Sequence, residues 1–381
     1  MDIISNKKRI LVIYDYFSPS YKAGGPTQSI INLVTQLYDA YDFEIICSSY
    51  ELNPRTPLTG IEVNKWNNWK DICRVFYWDN KFSDLPRLKL LLQESKSDIV
   101  FVNGVYSFFY NILPILFFNR QPVVLSARGM LKPEALQQKA FKKKVFLRVF
   151  KMMKWEKKVS FHATDDEEAA GIYELFGKGI KVHVAGNFPN ILDIKSPPQK
   201  QPGKLSIITI SLMNRIKNHL EVLKALKKVH GEVVYTIYGP VHDTKYVEEV
   251  LEVIKTMPKN IIVNYKGELR PDLVPECLSK SQVFVLPSKS ENFGHSIFEA
   301  LSAGRPVITS VNTPWKRLQD YKAGETVDLE KSPESLLTAL QSYIDMDTIE
   351  YEDHCRAARV YAEASVNIDN LKQQYFNLFN F

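Results

Sequence analysis

The chain has 381 residues, of which 45% are hydrophobic, 24% charged and 12% aromatic, a balance that excludes a disordered, fibrous or disulfide-built molecule. At roughly 100–200 residues per domain it has room for two domains with their own cores, which excludes one small binding module. Its net charge of +6 is uneven: residues 1–190 hold 26 Lys and Arg against 19 Asp and Glu, +7, and the remainder comes to −1, so the first half reads either as solubility or as attraction to anionic partners.

From residue 10, short apolar runs alternate with amphipathic helical stretches, the pattern of βα units around a parallel sheet. The first expected strand, 10–14, is too short and too strand-like for a signal peptide. It leads into SPSYKAGGPT at 18–27, where Gly24 and Gly25 stand before a helix that Pro26 can start. Such glycines either make an ordinary turn or let backbone approach a ligand without a Cβ in the way. Further strands are expected at 43–47, 99–103, 123–127 and 161–164. Asn103-Gly104 and Arg128 lie at the carboxyl ends of two of them, the edge where open α/β sheets bind ligands. The longest apolar run, 108–118, falls well short of the ~20 residues of a membrane-spanning helix.

Residues 139–158 read KAFKKKVFLRVFKMMKWEKK. Lys144, Arg148, Lys151, Lys154 and Lys158 follow helical spacing on one face, and Phe141, Val145, Val149 and Met152 mark another. Two readings stay open: a surface helix with its apolar face on the sheet, or a helix docking on anionic lipid.

The run SPPQKQPG at 196–203 predicts an extended linker. Strands at 205–210, 233–238, 261–265, 283–286 and 306–309 then predict a second doubly wound domain. The expected domains are residues 1–195 and 196–361. A helical tail, 346–381, packs across the two halves, its end from about 362 returning to the first. Two such domains imply a cleft between the carboxyl ends of their sheets.

In ISLMNRIKNH at 210–219, Arg215 and Lys217 stand at a helix start. Cations there oppose the helix dipole, so they are either surface charges or neighbours of an anion. Loops ending the next strands carry Gly239 and Leu269. The most specific stretch is 283–309. A buried strand ends at Pro287, a loop carries Glu291, and a helix starts near Gly294, so the amides of Gly294, His295 and Ser296 can face an anion. Glu299 lies five residues beyond Gly294, roughly 7–8 Å along the helix. Two carboxylates flanking a diphosphate would repel it unless they meet hydroxyl groups. A ribose at one end and a sugar at the other satisfy them, so a nucleotide-sugar fits. Cys47, Cys73, Cys277 and Cys355 have no CxxC spacing and fit a reducing cytosol.

These elements resemble the retaining glycosyltransferases of family 4, which have the GT-B fold: two doubly wound, Rossmann-like parallel-sheet domains facing a central cleft. The resemblance implies that Glu291 meets the donor sugar and Glu299 the ribose. Asn292, Phe293, Gly294, His295 and Ser296 would line the diphosphate, with Gly24 and Gly25 beside it, and Gly239 and Leu269 near the base. Lys217 would offset phosphate charge. Where relatives carry an Arg five residues before it, this chain has Leu212, which leaves Arg215 as the substitute. Arg128 stands where many members have a His near the reacting carbon. A guanidinium is no base at neutral pH, so Arg128 would bind phosphate or an acidic acceptor, or form a structural salt bridge. Asn103 would line the acceptor side, and Asn187 resembles a domain-junction residue.

The implied function is retaining transfer of a sugar from a UDP- or GDP-sugar to a glycan or lipid-linked acceptor in polysaccharide synthesis, in the cytoplasm or at the inner face of the plasma membrane. Neither cofactor nor metal is expected, and no nucleic acid: Asp345-Met-Asp347 spells the metal-binding DxD of another glycosyltransferase fold but sits between late helices. Alternatives are a nucleotide-sugar epimerase of the same architecture and a non-catalytic nucleotide-sugar-binding protein. A nicotinamide oxidoreductase would need G-x-G-x-x-G after the first strand, where Tyr16-Phe17-Ser18-Pro19 stands.

Overall fold

A computed structural model describes residues 7–380 except 80, 82–84, 119–120, 133–134, 137–139 and 195. The chain forms two compact units, Met1–Phe188 with Ile368–Phe381, and Pro189–Asn367.

In chain order the first unit holds β1 (Lys8–Ile13), α1 (Gly25–Leu37), β2 (Tyr41–Ser48), β3 (Trp66–Trp69), β4 (Cys73–Trp78), α2 (Leu85–Glu94), β5 (Ile99–Asn103), α3 (Leu113–Phe117), β6 (Val123–Ser126), α4 (Ala140–Met152), β7 (Ser160–Ala163), α5 (Asp166–Phe176) and β8 (Val182–Val184). The sheet runs β3-β4-β2-β1-β5-β6-β7-β8, parallel except for the antiparallel edge pair β3 and β4. Both faces are covered, as a parallel sheet requires. Leu11 and Ile13 enter one apolar cluster and Ile10 and Val12 the other.

The second unit holds β9 (Lys204–Ile210), α6 (His219–Leu226), β10 (Glu232–Tyr238), α7 (Thr244–Lys255), β11 (Ile261–Tyr265), α8 (Val274–Ser279), β12 (Val283–Leu286), α9 (His295–Ser302), β13 (Val307–Ser310), β14 (Gly324–Val327), α10 (Ser335–Asp345) and α11 (Thr348–Ser365). Its sheet is parallel throughout, in the order β11-β10-β9-β12-β13-β14. Side chains again alternate between two cores, Val283 and Val285 against one, Phe284 and Leu286 against the other.

The ten strands expected from sequence form within a residue or two of their predicted ends. The segment 196–203 is extended, as its prolines require, but it is laid against the second unit and is not a free linker. Gln282 donates Nε2 to the Gln199 carbonyl, Lys200 donates Nζ to the Ile344 carbonyl at 3.0 Å, and Thr348 donates its hydroxyl to the Lys200 carbonyl at 2.8 Å. The tail divides. Helix α11 packs in the second unit, where Asp347 caps its start by accepting the Glu350 amide at 2.9 Å. The last helix, α12 (Ile368–Phe379), belongs to the first unit, with Tyr375 stacked on Phe188 at 5.2 Å.

At the carboxyl edge of the second sheet the turns after β9 and β10 touch through backbone. Ser211 and Met213 donate their amides to Tyr238 and Pro240. A Cβ on Gly239 would stand 1.7 Å from the Ser211 carbonyl oxygen, so only glycine permits the approach. Gly239→Ala is expected to lower the thermal unfolding midpoint by several degrees or to prevent folding, since backbone must move; an unchanged midpoint would show that the turn relaxes freely.

Candidate active site

The second sheet reverses direction at β9: the chain leaves β9 for β10 on one side and reaches β12 on the other. Connections diverge there, leaving open ground at the carboxyl ends of the strands, the usual ligand position in such folds. The loop after β9 carries Lys217 and the loop after β12 carries Glu291. They meet: Lys217 Nζ lies 2.5 Å from Glu291 Oε1, with side chains 16% and 10% exposed. The Ser288 hydroxyl donates to the same oxygen at 2.6 Å.

Each loop is fixed by the other. Asn214 caps a short 3₁₀ turn at Arg215–Lys217 by accepting the Ile216 amide at 3.1 Å. Asn218, in the left-handed conformation at φ 59, donates Nδ2 to the Pro287 carbonyl at 2.9 Å, and Lys289 donates its amide to the Ile216 carbonyl at 2.8 Å. Beyond Glu291 the chain turns at Gly294, φ 76, directly into α9. A Cβ there would press on Ile297 and Trp315 at 3.1 and 3.2 Å. Trp315 is packed: it donates Nε1 to the Phe293 carbonyl at 2.6 Å and meets the Phe293 ring edge-on at 5.3 Å. It therefore braces the helix start from behind.

Helix α9 starts four residues after Glu291, with the dipole's positive charge at its amino end. Glu299 follows one turn on, largely buried, accepting Asn190 Nδ2 at 2.9 Å. Burial raises its pKa from 4.5 to about 7, a shift that the Asn190 bond opposes. Arg215 goes elsewhere. It pairs with both oxygens of Glu249, sits 3.7 Å from Asp243, and stays 53% exposed. Of the two cations expected here, the fold brings Lys217 alone to Glu291. Gly239 accepts the Tyr265 hydroxyl at 2.9 Å and donates its amide to Gly267, and Leu269 is half-buried in the core beneath α9.

In the first unit, Gly24 is the turn before α1, with φ 73. Glu51 holds the preceding loop, accepting the Ser20 hydroxyl at 2.6 Å and the Tyr21 amide at 3.0 Å. Arg128 is buried, with φ 51. It donates Nε to Asn103 Oδ1 at 3.0 Å and Nη1 to Asn187 Oδ1 at 2.6 Å. Among the described residues no carboxylate pairs with it, so the salt bridge weighed from sequence is replaced by neutral oxygens. The arrangement ties three strand-end loops together and gives Asn103 and Asn187 defined partners.

Sequence reasoning did not single out Ser288, Asn218, Asn190 or Glu51. Pro-Ser at a strand end was a usable signal for Ser288; nothing local marks Asn190 as the neighbour of Glu299. Among the described residues no group of three or more His, Cys, Asp or Glu is gathered in a metal-like cluster.

Two Rossmann-like units of these strand orders make this the GT-B class of fold. Residues 190–361, nearly the whole second unit, match the family model described as Glycosyl transferases group 1. A 110-residue stretch is 28% identical to the sulfoquinovosyl transferase SQD2 of Arabidopsis thaliana, covering 29% of this chain and 20% of that protein, so the match spans a fifth of the relative's length. Sucrose-phosphate synthase from Thermosynechococcus elongatus superposes with a TM-score of 0.73 at 16% identity, covering 98% of each chain. Anabaena HepE, solved in complex with UDP and glucose, superposes with a TM-score of 0.68 at 17% identity, over 98% of this chain and 99% of that one. WaaG, a glycosyltransferase of lipopolysaccharide biosynthesis, does so with a TM-score of 0.66 at 15% identity, over 97% and 99%.

Two outcomes follow. A carboxyl whose folded pKa exceeds its unfolded value adds stability that is complete below about 4.5 and lost as pH rises through about 7. Glu299→Gln should therefore raise the unfolding midpoint at pH 8 and leave it unchanged near pH 4; equal midpoints at pH 8 would refute the shift. Arg128→Ala should cost about 2–4 kcal/mol in denaturant unfolding, because two buried amide oxygens lose their donor.

Proposed function

We propose that the protein is a retaining glycosyltransferase that moves a sugar from a nucleotide-sugar, UDP- or GDP-linked, to a glycan or lipid-linked acceptor in cell-surface polysaccharide synthesis, acting at the cytoplasmic face of the membrane. The observation that carries the reading is the Lys217–Glu291–Ser288 cluster, set before the start of α9 at the sheet's reversal point, within the segment that matches the group 1 family. HepE's complex with UDP-glucose supports the donor class.

In this reading the diphosphate lies against the amides from Phe293 to Ser296, with Asn292 in the same turn. Lys217 turns from Glu291 to a phosphate oxygen, and Glu291 accepts hydrogen bonds from the sugar's hydroxyls. Glu299 accepts from the ribose diol in its ionised form. The bond between the anomeric carbon and the phosphate oxygen breaks as the acceptor oxygen attacks from the same face. The acceptor's proton passes to the departing phosphate oxygen. Lys217 and the helix amides stabilise the charge that develops on that oxygen, without a metal. Arg215, held by Glu249, has no part in this, and Arg128 positions Asn103 and Asn187.

Glu291→Ala and Lys217→Ala should each lower transfer by about 10²–10³-fold or more while the circular dichroism spectrum stays that of the parent. The assay offers UDP-, GDP- and ADP-sugars to the purified protein, guided by the melting-point rise that a bound donor produces, and reads the product's anomeric configuration. Full activity in either variant would remove that residue's role, and an inverted product would overturn the retaining course.

A further inference from the structure

The basic helix α4 settles its own orientation. Its packed face is Leu147 and Phe150, with Lys143 and Phe146 beside them. The sequence allowed Phe141, Val145, Val149 and Met152 to lie on the sheet; the structure turns them to solvent. Phe141 is 80% exposed, Met152 73%, Met153 49%, Val145 44% and Val149 41%. At 100° per residue, 141, 145, 149 and 152 fall on one line along the helix. Single exposed apolar residues are ordinary, but a continuous line of them marks a contact surface.

What borders the line identifies the partner. Lys142, Lys144, Arg148, Lys151 and Lys154 are all exposed, and among the described residues none of them pairs with a carboxylate. In the stretch 139–158 nine Lys and Arg face one acidic residue, Glu156; Lys139 itself lies outside the described residues. No described helix is long and apolar enough to cross a membrane. An apolar line flanked by uncompensated cations, on a helix anchored by its opposite face, is the pattern of an element lying in the interface of an anionic bilayer. A second copy of the chain would meet like charge with like charge on this face.

We infer that α4 docks the first unit on membranes carrying anionic lipid headgroups, with Phe141, Val145, Val149 and Met152 in the headgroup boundary and Lys144, Arg148 and Lys151 on the lipid phosphates. This inference is independent of the chemistry proposed for the second unit. Each basic residue near such a surface is worth ~1 kcal/mol, about a fivefold factor.

The test is sedimentation of the full chain with vesicles of phosphatidylcholine alone or mixed with phosphatidylglycerol, at low and high salt. The parent should bind the mixed vesicles and hardly the neutral ones. Lys144→Gln, Arg148→Gln and Lys151→Gln together should weaken binding about a hundredfold. Phe141→Ser with Met152→Ser should weaken it by roughly tenfold or more, a loss that persists at high salt where the charge contribution is screened. All five side chains are exposed, so an unchanged melting point in each variant confirms folding. Equal binding to neutral vesicles, variants that bind like the parent, or a concentration-dependent dimer abolished by the serine substitutions would each overturn the proposal.

Discussion

The candidate site depends on one constraint, the reversal of strand order at β9. Because β10 lies on one side of that strand and β12 on the other, the loops leaving β9 and β12 emerge side by side at the same sheet edge. Lys217 and Glu291 are 74 residues apart in sequence and 2.5 Å apart in the fold. Their attraction does not create this proximity. At an effective dielectric of about 20, two charges at 4 Å gain roughly 4 kcal/mol, and a pair so little exposed returns much of that as lost hydration. Topology places the loops, and the ion pair only chooses side-chain conformations within them.

What rigidifies the loops is hydrogen bonding to backbone carbonyls from both side chains and amides. Asn218 spans to Pro287, Lys289 to Ile216, and Ser310 donates its hydroxyl to the Ser288 carbonyl. Gly239 lets the neighbouring turn approach where any side chain would collide. A network of this kind is costly to rearrange, since every buried polar group that loses its partner is penalised. A ligand arriving here meets loop backbones already in place and spends little on ordering them, and only the Lys217 and Glu291 side chains have to part.

Much of this was legible beforehand because buried parallel strands are nearly continuous apolar runs, and ten of them stood out. Three of the four unexpected strands share a physical cause, while the fourth, β4, is CRVFYW, a buried apolar run that was legible and was passed over. β3 is WNNW at an exposed edge, β8 is three residues long, and β14, GETV, has no apolar run; pairing with a neighbour, and not composition, makes each of them a strand. Helix α4 shows a different limit. Periodicity located two faces, but Phe141 and Phe150 are equally apolar, and only the sheet decides which one is covered. Arg215 and Lys217 were nearly equivalent as a sequence pattern. They point apart because a 3₁₀ turn separates them and Glu249 on α7 captures the first. Glu299 was located correctly on its helix, yet its raised pKa comes from burial that no local pattern reveals.

Lys217 and Arg128, both little exposed, are compensated in opposite ways, and the difference bears on what each can do. Arg128 rests on the side-chain oxygens of Asn103 and Asn187, neutral groups that leave its charge in place and fix its direction. Lys217 rests on a carboxylate, so the pair is close to neutral, and an approaching anion gains from Lys217 only by displacing Glu291. In the proposed donor complex that displacement is productive, because the released carboxylate meets sugar hydroxyls able to donate to it. A diphosphate lacking the sugar frees the same carboxylate without supplying donors, and leaves it next to negative charge. Under the proposed function the exchange would therefore favour a sugar-bearing nucleotide over the bare diphosphate, and would do so through the pairing of two residues rather than through any single contact to the sugar.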